Sequence, residues 1–221
     1  MKTFNTLIIG CGNIAGGYDS FNTNSKSINT HAKAYQKHSG FSIDGCVDPN
    51  QIARDSFSKQ WGIKRSYASL SEALEDDIKY DVVSLCSPSD QHLNDLNLLL
   101  DAQPKLIFCE KPITENLIKT KEIVKKCQNL GISLAVNHIR RWDEDLQNFK
   151  MELSKGKWGR VHSAVGYYNK GILNNGTHLV DLMQYVLGKI TLVSIGTPVV
   201  DYSNEDPTIP AILFNKKHNI N

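Results

Sequence analysis

With 221 residues, 40% hydrophobic and 22% charged, the chain has room for about one and a half domains and a sizeable core, which excludes a collagen, a coiled coil, a mini-protein and wholesale disorder. Lys and Arg total 25 against 23 Asp and Glu, and the net charge of +2 is too small a field to imply nucleic acid or an anionic membrane as partner. No apolar run approaches the ~18 residues of a membrane span, and Gly10, Gly12 and Asn13 interrupt the first apolar stretch before a signal-peptide core forms, so the expectation is a cytoplasmic protein.

Strands are predicted at 7–10, 41–48, 80–87, 105–110 and 132–137, each a short β-rich apolar run. Helices fall between them at 50–60 after Asp48-Pro49, at 90–102 after Ser89 or Asp90, and at 115–128 after Thr114, the last with Leu117, Ile118, Ile123 and Val124 on one face. Strand and helix in repetition with near-continuous apolar strands is the signature of a parallel sheet covered on both faces: an α/β, doubly wound Rossmann domain over 1–137. Over 138–221 the pattern changes to a partial α+β unit with a helix at 142–154, a strand at 159–168, a helix at 178–188 ended by Gly188, a strand at 190–196, a loop at 201–210 and a strand beginning at 211. The five cysteines (Cys11, Cys46, Cys86, Cys109, Cys127) form no CxxC pair and sit mostly in apolar runs, so they read as buried reduced thiols, and no residue cluster has metal-ligand spacing.

The first strand runs into Gly10-Cys11-Gly12-Asn13-Ile14-Ala15, a G-x-G-x-x-A sequence. In a βαβ unit the first glycine makes the tight turn, the second admits a pyrophosphate to the backbone, and the small third residue lets helix and strand pack; the helix start then offers N–H groups to phosphate. Gly10, Gly12, Asn13 and Ile14 are therefore candidate cofactor-binding residues. Asp48 ends the second strand, where a carboxylate accepts from ribose hydroxyls and repels a 2′-phosphate, favouring NAD over NADP. It lies 38 positions past Gly10 rather than about 20, because 17–30 reads as an inserted polar loop; capping of the helix after Pro49 is the plainer role for it. Ser87 and Pro88 end the third strand, with His92 a turn beyond, and Glu110-Lys111-Pro112 closes the fourth, where Pro112 fixes a turn that a cis bond would suit. Ligands lie beyond such strand ends, so Ser87, Pro88, His92 and Glu110 join the cofactor set, although a lone histidine is more often structural.

GCGNIA, CVDPN, SLCSPSDQH, CEKP, NHIRRW and NNGTHLVDL, in this order and spacing, resemble the glucose–fructose oxidoreductase, inositol dehydrogenase and MocA family of nicotinamide-dependent oxidoreductases over about residues 3–196. The resemblance implies a second domain with a mostly antiparallel sheet, and a reaction in which hydride passes between NAD and a secondary alcohol of a sugar, cyclitol or sugar derivative. It implies Lys111 as the group on the reacting oxygen and His178 as the proton acceptor, with Arg141, Asn174 and Asn175 beside them in the substrate set. It also implies a homo-oligomer.

Two departures stand out. Many members carry aspartate where this chain has Asn174, and an amide neither holds charge nor relays a proton; Asp181, at i+3 from His178, is a candidate to compensate. Relatives also continue well beyond residue 221, so a truncated product and a fragment are both open, and an incomplete sheet would leave an apolar face and an edge prone to association. Two other functions stay open at this stage: an impaired NAD-binding remnant or regulator, and a glycosidase that uses NAD transiently.

Overall fold

The computed structural model describes residues 3–20, 26–218 and 220, and the chain divides into two compact units, Met1–Asn137 and His138–Asn221. In the first, strands β1 (Phe4–Ile9), β2 (Phe41–Val47), β3 (Arg65–Tyr67), β4 (Val82–Leu85), β5 (Leu106–Cys109) and β6 (Ser133–Val136) form one sheet in the order β3-β2-β1-β4-β5-β6, every pair parallel. The helices are α1 (His31–Lys37), α2 (Gln51–Trp61), α3 (Leu70–Glu75), α4 (His92–Ala102) and α5 (Leu117–Leu130).

The pleat explains why the strands read as unbroken apolar runs. In β1, Leu7 and Ile9 enter one core with Val83, Leu85, Leu96, Leu99, Ile107 and Ile123, while Ile8 between them enters another with Val82, Cys46, Phe57 and Trp61. Alternate side chains point to opposite faces and both faces are covered, so no position can be polar cheaply. The chain order reverses between β1 and β4, which opens a crevice at the carboxyl ends of those strands.

Local chemistry sets the helix ends. The Asn50 and Asn116 side chains cap α2 and α5 by accepting from Ala53 N and from Ile118 N and Lys119 N, and Gly62 and Gly131 close these helices at positive φ. The α5 cap is thus Asn116, not Thr114, and Leu117 and Ile118 are each 68% exposed while Ile123 and Cys127 carry the buried stripe. All five cysteines are free and buried.

The glycine segment does not run directly into a long helix. After one turn the chain forms a short 3-10 segment, Gly17–Asp19, leaves, and returns at α1, where His31 N donates to Ile14 O and Ala32 N to Ala15 O. These bonds continue the ladder of the first turn, so the inserted loop is spliced into what would otherwise be one helix, and the helix start argued from the motif is cut to a single turn. Residues 21–25 of that loop lie outside the described residues.

The second unit opens with a 3-10 turn, Ile139–Trp142, and helix α6 (Glu144–Ser154), capped by Asp143, whose Oδ1 accepts from Leu146 N. A π-helical turn, Gly171–Gly176, leads into α7 (Thr177–Leu187), and β7 (Ile190–Ile195) pairs antiparallel with β8 (Ala211–Asn215). The strand expected at 159–168 is not one. That segment has no ladder partner among the described residues; the Tyr168 hydroxyl instead donates to Ile209 O and accepts from Ile209 N, each at 2.8 Å, a side chain standing in for a strand neighbour. Leu192, Val193, Ile195 and Ile212 of the two-stranded sheet are more than half exposed. No helix among the described residues is long and apolar enough to cross a membrane.

Candidate active site

Gly10 follows β1 at φ +87°, and a β-carbon there would stand 2.6 Å from Cys86 O and 2.7 Å from Ser87 N. Both obstacles are backbone, so Gly10→Ala is expected to cost about 2 kcal/mol or more, read as a lowered urea midpoint at unchanged m-value. Gly12 is the reverse case: a β-carbon there would meet nothing within 4 Å, which leaves an open face where a diphosphate can approach the backbone. Asn13 is exposed beside it, whereas Ile14 packs its side chain against the core and offers the loop only backbone.

Asp48 Oδ2 accepts from Cys11 N and Oδ1 from Asn50 N, both at 2.8 Å. The carboxylate therefore closes the glycine loop against the end of β2; the helix cap is Asn50. A carboxylate has about four acceptor positions, so two remain for the hydroxyls of a ribose. The residues fit a dinucleotide in this respect.

At the end of β4, Ser87 Oγ donates to Asp95 Oδ2 at 2.7 Å, and burial raises the Asp95 carboxyl against the pull of that bond. Pro88 is exposed. His92 corrects the expectation of a cofactor contact: it is 1% exposed, with Nδ1 2.8 Å from Pro112 O and Nε2 2.9 Å from Ser87 O. Its ring braces the two strand-end turns from below.

At the end of β5, Glu110 Oε1 meets His31 Nε2 at 2.9 Å and accepts from Asn137 Nδ2 at 2.7 Å. Burial pushes this carboxyl up, but donation from His31, from Asn137 and from the Lys111 backbone outweighs it and holds the group below its usual value. Lys111 is half-buried and the Lys111–Pro112 bond is cis. His31 escaped the sequence reading, and Asn137 entered it only as the first residue of the NHIRRW motif. Extending the strand-end rule to β6 would have flagged Asn137.

In the second unit, His178 lies on the first turn of α7, with Asn174 and Asn175 in the π-helical turn before it. Asp206 accepts from Leu173 N at 2.8 Å and Asn174 N at 2.9 Å, which anchors that turn. Asp181 is 9% exposed and gripped by Arg141, whose Nε donates to both carboxylate oxygens and whose Nη2 donates to Oδ1 at 2.6 Å. His138 Nδ1 lies 3.7 Å from the same carboxylate, and its ring stands perpendicular to that of His178 at 6.3 Å. Two expectations change here. The fork of Arg141 is engaged by a protein carboxylate, and three acceptor positions of Asp181 are filled by Arg141. His138 is a second imidazole beside His178, known to the sequence reading only as part of a motif.

The sheet order, the glycine loop and the acid at the end of β2 define a Rossmann fold of the dinucleotide-binding class. A family model described as "Oxidoreductase family, NAD-binding Rossmann fold" matches residues 4–138, and the chain belongs to this family, Gfo/Idh/MocA. A D-apiose dehydrogenase of Rhizobium rhizogenes is 25% identical over 202 residues, covering 84% of this chain and 58% of that protein. An inositol 2-dehydrogenase of Mycolicibacterium gilvum is 30% identical over 125 residues, 51% of this chain and 36% of that protein. Among solved structures, the WlbA dehydrogenase of Bordetella pertussis, in complex with NADH and UDP-GlcNAcA, has the same fold with TM-score 0.81 at 22% identity, covering 98% of this chain and 65% of that one. The chain thus spans less than two thirds of the length of these relatives.

Proposed function

We propose that the protein is an NAD-dependent dehydrogenase that oxidises a secondary alcohol of a sugar, cyclitol or sugar derivative to a ketone, or runs the reverse reduction. The observation that carries the reading is the Asp48 carboxylate held against the open glycine loop, two acceptor positions spare. It suits a ribose with both hydroxyls free and opposes a 2′-phosphate. Relatives named as apiose and inositol dehydrogenases support the substrate class and favour net oxidation over transient use of NAD.

NAD would supply the hydride acceptor. Gly10, Gly12 and Asn13 would present backbone to its diphosphate, Asp48 would bind its adenosine ribose, and Ser87 and Pro88 would border it at the end of β4. Lys111 would donate to the alcohol oxygen, stabilising the negative charge that grows there as the carbon–hydrogen bond breaks. His178 would accept the hydroxyl proton, so that loss of a proton from oxygen and a hydride from carbon leaves the carbonyl. Asn174 and Asn175 would orient the remaining hydroxyls, Arg141 acting through its hold on Asp181.

The test is a titration of the 221-residue chain with NADH and NADPH, followed by nicotinamide fluorescence, with Asp48→Ala alongside. NADH is expected to bind more tightly than NADPH, and Asp48→Ala to weaken NADH by about tenfold to a hundredfold, the worth of hydrogen bonds to a charged group. Equal or tighter NADPH binding in the parent chain would overturn the choice of NAD.

A further inference from the structure

A chain of buried polar groups crosses the first unit beneath the Glu110-Lys111-Pro112 turn. Tyr35 Oη lies 2.7 Å from Ser84 Oγ, Ser84 Oγ 2.9 Å from His31 Nδ1, and His31 Nε2 2.9 Å from Glu110 Oε1. Tyr35, Ser84 and His31 are 8%, 0% and 4% exposed, so each of these groups must find its partner inside the protein.

The chemistry of the ends fixes the direction of donation. The Glu110 carboxylate can only accept, so His31 carries its proton on Nε2; in the neutral ring Nδ1 then accepts from Ser84 O–H, and Ser84 Oγ accepts from Tyr35 O–H. Burial pushes the Tyr35 phenol up to about 12 against the pull of Ser84, which keeps it a donor. Ser84 is the single polar residue of β4, Val82–Leu85, a strand buried throughout. A hydroxyl in that position gains nothing from water and is explained by the partner it gives His31. At the far end the Glu110 carboxylate also takes the Lys111 backbone N–H, with Asn137 completing its donors.

We propose that His31 is a positioning residue for Lys111: through Nε2–H it fixes the Glu110 carboxylate in the orientation that holds the Lys111 backbone, while Ser84 and Tyr35 fix the imidazole. The assignment rests on the role given to Lys111 above but acts one and two groups away from it, in residues that touch neither substrate nor cofactor in that reading except Glu110. Removal of the Nε2–H donor would leave a half-buried carboxylate short of a partner, favour its protonation and loosen the turn. Loosening of the turn exposes the half-buried Lys111 amine, and a more exposed amine is acylated faster.

The experiment reads the Lys111 amine directly. The chain and its His31→Leu, His31→Gln and Glu110→Gln variants are labelled briefly with acetic anhydride, and labelling of Lys111 is compared by peptide mass spectrometry with that of the exposed α5 residues Lys121 and Lys125 in the same sample. Relative labelling of Lys111 is expected to rise about threefold or more in His31→Leu and Glu110→Gln, as local opening of the turn exposes the amine more often. His31→Gln, whose amide can donate to Glu110 and accept from Ser84, is expected to stay within about twofold of the parent. Unchanged Lys111 labelling in either folded disrupting variant, or His31→Gln as reactive as His31→Leu, overturns the proposal, even where thermal stability falls. If His31→Leu does not fold, Glu110→Gln and His31→Gln decide. Failure of the dehydrogenase reading shows separately, as absence of NADH binding by the parent chain, and leaves the labelling comparison intact.

Discussion

Lys111→Ala and His178→Ala are each expected to lower kcat by about a hundredfold or more, while NADH affinity stays within about twofold of the parent. The two substitutions remove different parts of one event. Lys111 follows β5 and in the proposed reaction would meet the charge developing on the reacting oxygen; alanine removes the cation without touching the glycine loop or Asp48. His178 lies on the first turn of α7 beside His138, and alanine would remove the proton acceptor of the proposed reaction. The check is NADH formation with the best substrate from a screen of sugars and cyclitols, together with fluorescence titration of NADH for each variant. Turnover unchanged in either variant would remove that residue from the mechanism. A loss of turnover matched by loss of NADH binding would point to a damaged fold.

Asp19→Ala is expected to cost about 3–5 kcal/mol of stability, the loss typical when one partner of a buried ion pair is removed. Asp19 and Lys33 are 2% and 1% exposed, and Lys33 Nζ lies 3.3 Å from Asp19 Oδ1. The same carboxylate accepts from Asn29 N and Asn29 Nδ2 at 3.0 Å and from Thr30 Oγ1 at 2.8 Å, so it ties the returning end of the inserted loop to its departing end. Alanine would leave the Lys33 ammonium buried without this counter-charge and three donors without their acceptor. Urea unfolding at neutral pH measures the loss.

The pH dependence of the Asp19 contribution has a definite sign. Burial pushes the Asp19 carboxyl up, but Thr30, Asn29 and Lys33 outweigh it and hold it below its usual value. A depressed folded value means stability that is fully present above the unfolded pKa, about 3.9, and is lost as pH falls below that through the folded value. The difference in stability between the parent and Asp19→Asn should therefore shrink below about pH 4. A difference that stays constant from pH 6 to pH 3, or grows on acidification, would contradict the assignment.

The sequence alone carried the architecture of the first unit, because its information is local. A parallel strand buried on both faces must be apolar at every position, and the run YDVVSLCS at 80–87 shows this without reference to any neighbour. The glycines work the same way: Gly10 and Gly12 are needed for backbone geometry and close approach at their own positions. Periodicity also found α6, α7, β7 and β8 within one or two residues. It missed β3 and α3, whose three and six residues are too few to show a period, and α1, whose apolar face is interrupted by the loop spliced in before it. It mistook 159–168 for a strand because alternation reports a surface that can be half buried and does not report whether a partner strand is there to pair with it.

What only the tertiary structure decided is which polar groups meet. His31 pairs with Glu110 across 79 positions and Arg141 with Asp181 across 40. His92, read from the sequence as facing the cofactor, turns inward to brace Ser87 and Pro112. The first and last of these outcomes depend on which strand ends lie side by side in the order β1-β4-β5-β6, and the pairing of Arg141 with Asp181 on how the second unit packs its 3-10 turn against α7, both long-range properties. A buried polar side chain is placed by the one partner that satisfies it, and that partner is chosen by the packed fold and not by the neighbouring residues in the chain.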